Sequence, residues 1–303
     1  DLFGKQSEQI TYNLVLARYI ESLSKEKKVA EILEIYSNEI AKYPEQEWLY
    51  EQRLNWLEQT NMFDEQLKIY KATLEKFPTN NWRDKLARWF IRNKKQAEFE
   101  AFSTELVGKL NDKEIENYLS QFITGNDDFS KQIYLKLYQT ALQRFPHNIN
   151  FVKHLLQFYK EKKLNNEWRN LAAEYYFESP QVREKFLEEL AKKGELQSFL
   201  AQATGESVIY ELFRADANSR LSHYEEALQS YRQLNELYPH ESEFSDHLVN
   251  LTRSFGQKDR QFLIESAKHA QKRADFEVSN AVYRTTSGEI NAELNDFKTA
   301  KTE

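Results

Sequence analysis

Four stretches of the chain repeat one pattern in different letters: Tyr36 to Pro44, Tyr70 to Pro78, Tyr138 to Pro146 and Tyr231 to Pro239. Each runs from a tyrosine, seven residues on, to a second aromatic (Tyr43, Phe77, Phe145, Tyr238) and then a proline. A leucine stands three residues before each tyrosine: Leu33, Leu67, Leu135 and Leu228. Pro44 and Pro78 are 34 residues apart, Pro78 and Pro146 are 68 apart, and Pro180 follows Pro146 by 34. A fixed period of this size constrains the fold strongly. Each repeat is one small unit that cannot bury its apolar face alone, so successive units must stack.

The apolar spacing inside each period is helical. Residues 8–23 carry Ile10, Leu14, Ala17 and Ile20, and residues 29–43 carry Ile32, Leu33, Tyr36, Ile40 and Tyr43. The polar link Ser24 to Lys28 is so short that the two helices must pack antiparallel. Further pairs follow at Trp48 to Phe77, Trp82 to Leu106, Ile115 to Phe145, Phe151 to Tyr176, Val182 to Ala203, Ile209 to Tyr238 and Phe244 to about Lys272, with a last one opening near Phe276. From Pro180 to Pro239 the spacing is 59 rather than 68, which predicts a kink near 194–206. The composition agrees: 7 glycines and 5 prolines in 303 residues leave few helix breakers. Proline ends each period because it removes a backbone donor and stops propagation. The tyrosine and the closing aromatic lie on one face of the second helix, and the next pair is expected to cover them.

These residues resemble the tetratricopeptide repeat family. His223 to Tyr231, continuing through Leu237-Tyr238-Pro239, is similar to the second half of such a repeat, and Gly288 to Ala300 carries the family's small residues at its two ends. Twelve residues before the other prolines stand Ile32, Gln66, Tyr134 and Trp168, where the family prefers alanine. The tryptophan-rich stretches Trp48 to Trp56 and Trp82 to Trp89 lean toward the related half-a-tetratricopeptide class. The resemblance implies an all-α, right-handed superhelical solenoid of about nine antiparallel helix pairs over 1–303, the last incomplete. It also implies a groove lined by the first helix of each pair, and an interaction scaffold as the function. The chain starts at Asp1 without methionine and stops at Glu303 early in a second helix, so the parent protein is expected to continue or to be capped there.

No catalytic pattern stands out. The chain has no cysteine, which excludes disulfides and thiolate metal sites. No HExxH, phosphate-cradling glycine loop or GxSxG elbow occurs. His240 and His247, with Glu241 and Glu243 between them, could hold a metal, but solvated loop residues explain them better. No cofactor and no metal is expected. The net charge of −6 argues against nucleic acid, whose phosphates need a dense lysine and arginine field. No apolar run reaches the ~20 residues of a membrane span. A soluble protein is expected, in the cytoplasm or in a periplasmic or other extracytoplasmic compartment.

The first helices carry the candidate binding residues. Trp82, Lys85, Trp89 and Arg92 fall at three- and four-residue steps and share one helical face. With Trp48, Glu51 and Asn55 of the preceding pair they would line the concave side and grip an extended peptide or an acidic tail. The competing explanation is that the tryptophans pack the seam and the charges are solvated. Lys153, Gln157 and Lys160 form a second candidate. Some tetratricopeptide domains hold a chaperone's terminal carboxylate with lysine and asparagine on adjacent first helices. The corresponding positions here are Ala17 and Glu21, Glu51 and Asn55, Lys85 and Trp89, Lys153 and Gln157. No consecutive pair supplies the set, so that clamp is not expected. The leading expectation is a non-catalytic scaffold for a protein or peptide. The alternatives are a structural arm of a larger assembly, or a targeting module of an enzyme whose catalytic part lies elsewhere.

Overall fold

The computed structural model describes residues 2–256 and 259–294, with side chains from residue 11 onward. Among these residues there are 17 α-helices and no β-strand. The chain divides into two compact units, Asp1–Phe145 and Pro146–Glu303. The first holds α1 (Leu2–Lys25), α2 (Val29–Lys42), α3 (Glu47–Gln59), α4 (Phe63–Lys76), α5 (Asn80–Arg92), α6 (Gln96–Lys109), α7 (Asp112–Phe122) and α8 (Asp128–Arg144). The second holds α9 (Ile149–Glu161), α10 (Asn165–Glu174), α11 (Pro180–Lys192), α12 (Leu196–Gln202), α13 (Val208–Arg220), α14 (Tyr224–Leu237), α15 (Ser242–Gly256), α16 (Arg260–Phe276) and α17 (Ala281–Glu293). Within each unit the helices follow one another as antiparallel pairs. The expected partner of α17, including Ala300, lies outside the described residues.

Two backbone joints repeat along the chain. The first turns the chain inside a pair. After α1, Lys27 takes φ 57°, its N–H donates to Ser24 O at 3.0 Å, and the Lys28 N–H donates to Leu23 O at 3.0 Å. That is a Schellman motif, which satisfies the last carbonyls of a helix while reversing the chain. The same pair of bonds recurs at Asn61, Lys94, Lys163, Gly194 and Ser222, all with positive φ. Only one of these six residues is glycine, so five carry a Cβ in a conformation that L-residues disfavour.

The second joint links one pair to the next. Tyr43, Phe77, Phe145 and Tyr238 sit at φ −119° to −131° and ψ 63° to 79°. Each precedes a proline, whose ring clashes with a helical residue before it, and so each helix stops there. Pro180 works differently. It is the first residue of α11, capped by the Ser179 hydroxyl, which accepts from the Val182 N–H at 3.3 Å. Proline suits that position because its missing donor would be unpaired anyway. The sequence predicts a second helix ending near Lys272, but α16 runs on to Phe276, since no proline stops it.

The repeated tyrosines Tyr36, Tyr70, Tyr138 and Tyr231 are all buried. Tyr36 meets Trp56 of the next pair at 6.4 Å between ring centroids, and Tyr70 meets Trp89 at 6.2 Å. The rings before the prolines are only half covered: Tyr43 is 40% exposed and Tyr238 39%. Each of these is gripped at one edge, Tyr43 by Tyr12 at 5.9 Å and Tyr238 by Phe244 at 6.2 Å. The stretch 194–206 contains α12, the shortest helix described, at 7 residues. Arg214 fastens the loop after it by donating to Ala203 O at 2.6 Å and Gly205 O at 2.9 Å.

Candidate functional site

In the unit Asp1–Phe145 the first helices α3, α5 and α7 are tied together by polar side chains. Lys85 pairs with Glu51 across 34 positions and lies 4.3 Å above the Trp82 ring. Arg92 pairs with Glu58, also 34 positions away, at 2.7 Å. The Trp82 indole N–H donates to Glu47 at 2.9 Å. One pair further on, Arg88 donates to Gln121 at 2.6 Å and lies 5.1 Å from the Phe122 ring, while Arg83 meets Glu114 at 3.2 Å. Between α5 and α7 a cavity of about 300 Å³ is lined by Arg83, Asp84, Glu114, Tyr118 and Gln121 among others. Burial pushes the Asp84 carboxyl above its usual range, and burial likewise raises the Tyr118 hydroxyl, which hydrogen-bonds Ser103 at 2.7 Å.

The candidate residues divide into those that pack and those that face solvent. Trp82 and Trp89 are buried, at 0% and 1% exposure. The Trp89 indole donates to Gln66, itself buried. Trp48 is half buried, with its ring 5.8 Å from Tyr12 and its N–H on Gln46 at 3.2 Å. Lys85 and Glu51 are half buried, whereas Arg92 and Asn55 are exposed. The structure thus brings Glu51, Trp82 and Lys85 into one contact group and places Arg92 on Glu58. In the other unit Lys153 is half buried, and the exposed Gln157 donates to Glu161 on its own helix at 2.7 Å.

The unit Pro146–Glu303 contains a buried cluster that the sequence did not single out. Asp216 of α13 accepts from the Tyr176 hydroxyl at 2.8 Å and the Tyr231 hydroxyl at 2.5 Å, and meets Arg183 Nε at 3.2 Å. Arg183, only 4% exposed, also reaches Tyr176 O and pairs with Glu243. Burial first, then the Asp216 carboxylate beside it, raises the hydroxyl pKa of Tyr176 and of Tyr231. His247 stacks on the Tyr231 ring at 4.6 Å, and burial lowers its pKa. Both carboxylate oxygens of Asp216 are taken up by the protein's own donors, so the cluster bolts α11, α13, α14 and α15 together. The one signal in the sequence was an acid between two alanines, Ala215-Asp216-Ala217.

His240 stacks on Phe276 at 4.8 Å, away from the Tyr231 ring that holds His247. Among the described residues no group of three or more His, Asp or Glu side chains is placed to hold a metal ion. No described helix is long and apolar enough to cross a membrane.

No protein-family model matches the sequence, and no curated protein matches it. Solved structures that match include Naa15/Naa10 bound to HypK-THB, at 13% identity and a TM-score of 0.35 over 94% of this chain and 53% of that one. The chain therefore spans about half the length of that structure's chain. A tetratricopeptide repeat protein from Parabacteroides merdae ATCC 43184 matches at 16% identity and a TM-score of 0.28, over 83% of this chain and 89% of that one. The P58(IPK) TPR domain matches at 11% identity and a TM-score of 0.26, over 94% and 89%. In each unit the helices form successive pairs, and the 34-residue spacing, the recurring Schellman turns and the aromatic-proline joints resemble those of tetratricopeptide repeats.

Proposed function

We propose that the chain is a non-catalytic interaction scaffold and that a protein or extended peptide binds along the first-helix face of α3, α5 and α7. The observation that carries this reading is the cross-linked polar surface there. Lys85 with Glu51, Arg92 with Glu58 and Arg88 with Gln121 hold half-exposed charged and amide groups in fixed places on successive helices. Groups ordered before binding lose less entropy when a ligand arrives, which favours affinity and specificity. The cavity beside Asp84 offers a place for one polar side chain of such a ligand.

The burial of the tryptophans decides how to test this. Replacing Trp89 would disturb packing, so Lys85 and Arg92 are the informative positions. The doubly substituted Lys85→Ala, Arg92→Ala chain should keep its helicity and lose at least tenfold in affinity for the physiological partner. Photo-cross-linkers at Asn55 and Arg88 should capture that partner. Capture from the second-helix positions alone, with the double variant binding normally, would remove the first-helix face from consideration.

A further inference from the structure

The second helices of the unit Asp1–Phe145 are spaced unequally. α6 and α8 lie side by side. Phe99 meets Phe129 at 5.9 Å, Gln96 donates to Gln132 at 2.8 Å, and Lys136 pairs with Glu100 at 2.9 Å. α4 and α6 leave a groove between them of about 590 Å³. Its floor is Leu86 and Phe90 of α5, and its walls are Leu74 of α4 with Phe102 and Leu106 of α6. Phe102 is held from below by Phe90 at 5.7 Å and by Tyr118 at 6.4 Å, so the wall is fixed rather than collapsed.

The edges carry charge. On α6, Glu98 and Glu105 stand seven residues apart, hence two turns apart on the same side. Lys109 pairs with Glu105 at 2.6 Å, and Glu98 has no ion pair among the described residues. On α4, Lys71 and Glu75 balance each other, and Arg83 at the groove end is committed to Glu114 and Asn80. The α6 edge is therefore net acidic, beside an apolar trough flanked by two helices that run the same way.

We infer that the α4–α6 groove is a second binding site, for one amphipathic α-helix of a protein partner whose edge toward α6 carries arginine or lysine opposite Glu98. An apolar stripe at three- and four-residue spacing fills the trough, as helices do in other hydrophobic grooves. α4 and α6 are each 14 residues long, and that sets the length of the occupant. A basic edge complements Glu98, and the chain's net charge of −6 steers a cationic helix toward it. The groove shares Arg83 with the cavity beside Asp84 but none of Lys85, Arg88 and Arg92, so substitutions at Lys85 and Arg92 distinguish it from the peptide surface proposed above.

The test uses the full chain and three fluorescently labelled 14-residue peptides. One has a leucine stripe with arginines along one edge. Its twin has glutamates at those edge positions, and the third is a scramble of the first. Fluorescence anisotropy should show saturable binding of the basic-edged peptide, at least tenfold tighter than its acidic twin and absent for the scramble. Glu98→Lys should reverse that order. Ala101→Trp, at an exposed groove position, should abolish binding while leaving the circular dichroism spectrum and the melting temperature unchanged. The Lys85→Ala, Arg92→Ala chain should bind the peptide normally, which separates this site from the first-helix face. Equal binding of all three peptides, or binding that ignores both Glu98→Lys and Ala101→Trp, overturns the inference as non-specific adsorption. Absence of binding overturns it too. If that absence comes with a dimer by sedimentation that Ala101→Trp dissociates, the occupant is a second copy of the chain and not a partner.

Discussion

The pairs α3/α4 and α13/α14 share one backbone plan and fill it in opposite ways. Both turn through a Schellman motif, at Asn61 and at Ser222, and both end on an aromatic before proline. Twelve residues before that proline the first has Gln66 and the second has Ala227. Ala227 is fully covered, as are Ala215 and Ala217 on the facing helix, and α13 and α14 pack along more of their length than α3 and α4. Gln66 is buried as well, but its amide spans the gap, donating to Leu54 O at 3.2 Å and accepting from the Trp89 indole. A small side chain lets two helices meet directly. A long polar one holds them apart, and an indole from the next pair fills the space. In the pair with alanines a buried acid, Asp216, stands between Ala215 and Ala217 on the same helix and accepts from Tyr231 of α14.

Breaking the contacts of Asp216 should have the largest effect. Asp216→Ala leaves two buried tyrosine hydroxyls without their acceptor and Arg183 with Glu243 as its one carboxylate partner, with an expected cost of about 3–5 kcal/mol. Hydrogen exchange should show the loss in residues 146–303 and leave 1–145 unchanged. Exchanging the two fillings is the next test. Ala227→Gln forces an amide into a filled crossing, and Gln66→Ala leaves the Trp89 indole N–H without its acceptor. Each should cost about 1–3 kcal/mol in urea denaturation. A neutral Gln66→Ala would show that the amide bridge contributes nothing.

A smaller difference should appear on acidification. All six histidines lie after residue 146. Burial holds the His247 and His269 pKa values below 6.5 in the fold. The unfolded chain therefore takes up protons first as pH falls from about 6.5, so this stabilisation is present above that pH and lost below it. Protection in 146–303 should decline between pH 7 and pH 5.5 while 1–145 holds. His247→Phe, which keeps the stack on Tyr231, should remove part of the decline. The smallest effect should come from the turns. Lys94→Gly relieves a left-handed lysine and should add about 1 kcal/mol, and Gly194→Lys should subtract a similar amount.

How much was legible depends on where the information sits. The period and the helix pairs were plain, because each aromatic-proline joint is written in consecutive residues. Pro180 was misplaced because the same residue type both ends and starts helices, and only the Ser179 cap distinguishes the two roles. The Trp82 to Arg92 stripe could not separate binding from packing, since the spacing that faces a ligand equally faces a neighbouring pair. The Asp216 cluster was hidden because its members come from positions 40 and 15 residues away, and no local spacing marks them. The turns at Lys27, Lys94 and Lys163 gave no glycine to read.

The pairing of Lys85 with Glu51 and of Arg92 with Glu58 has a consequence for how such a chain can change over generations. Each tie reaches the same distance along the polymer, so inserting a single amino acid inside α4 would put several of them out of step together. Copying a complete 34-residue block would keep the helices on either side in phase. Lineages of this protein should therefore differ in length by whole blocks, with shorter gaps confined to the linkers.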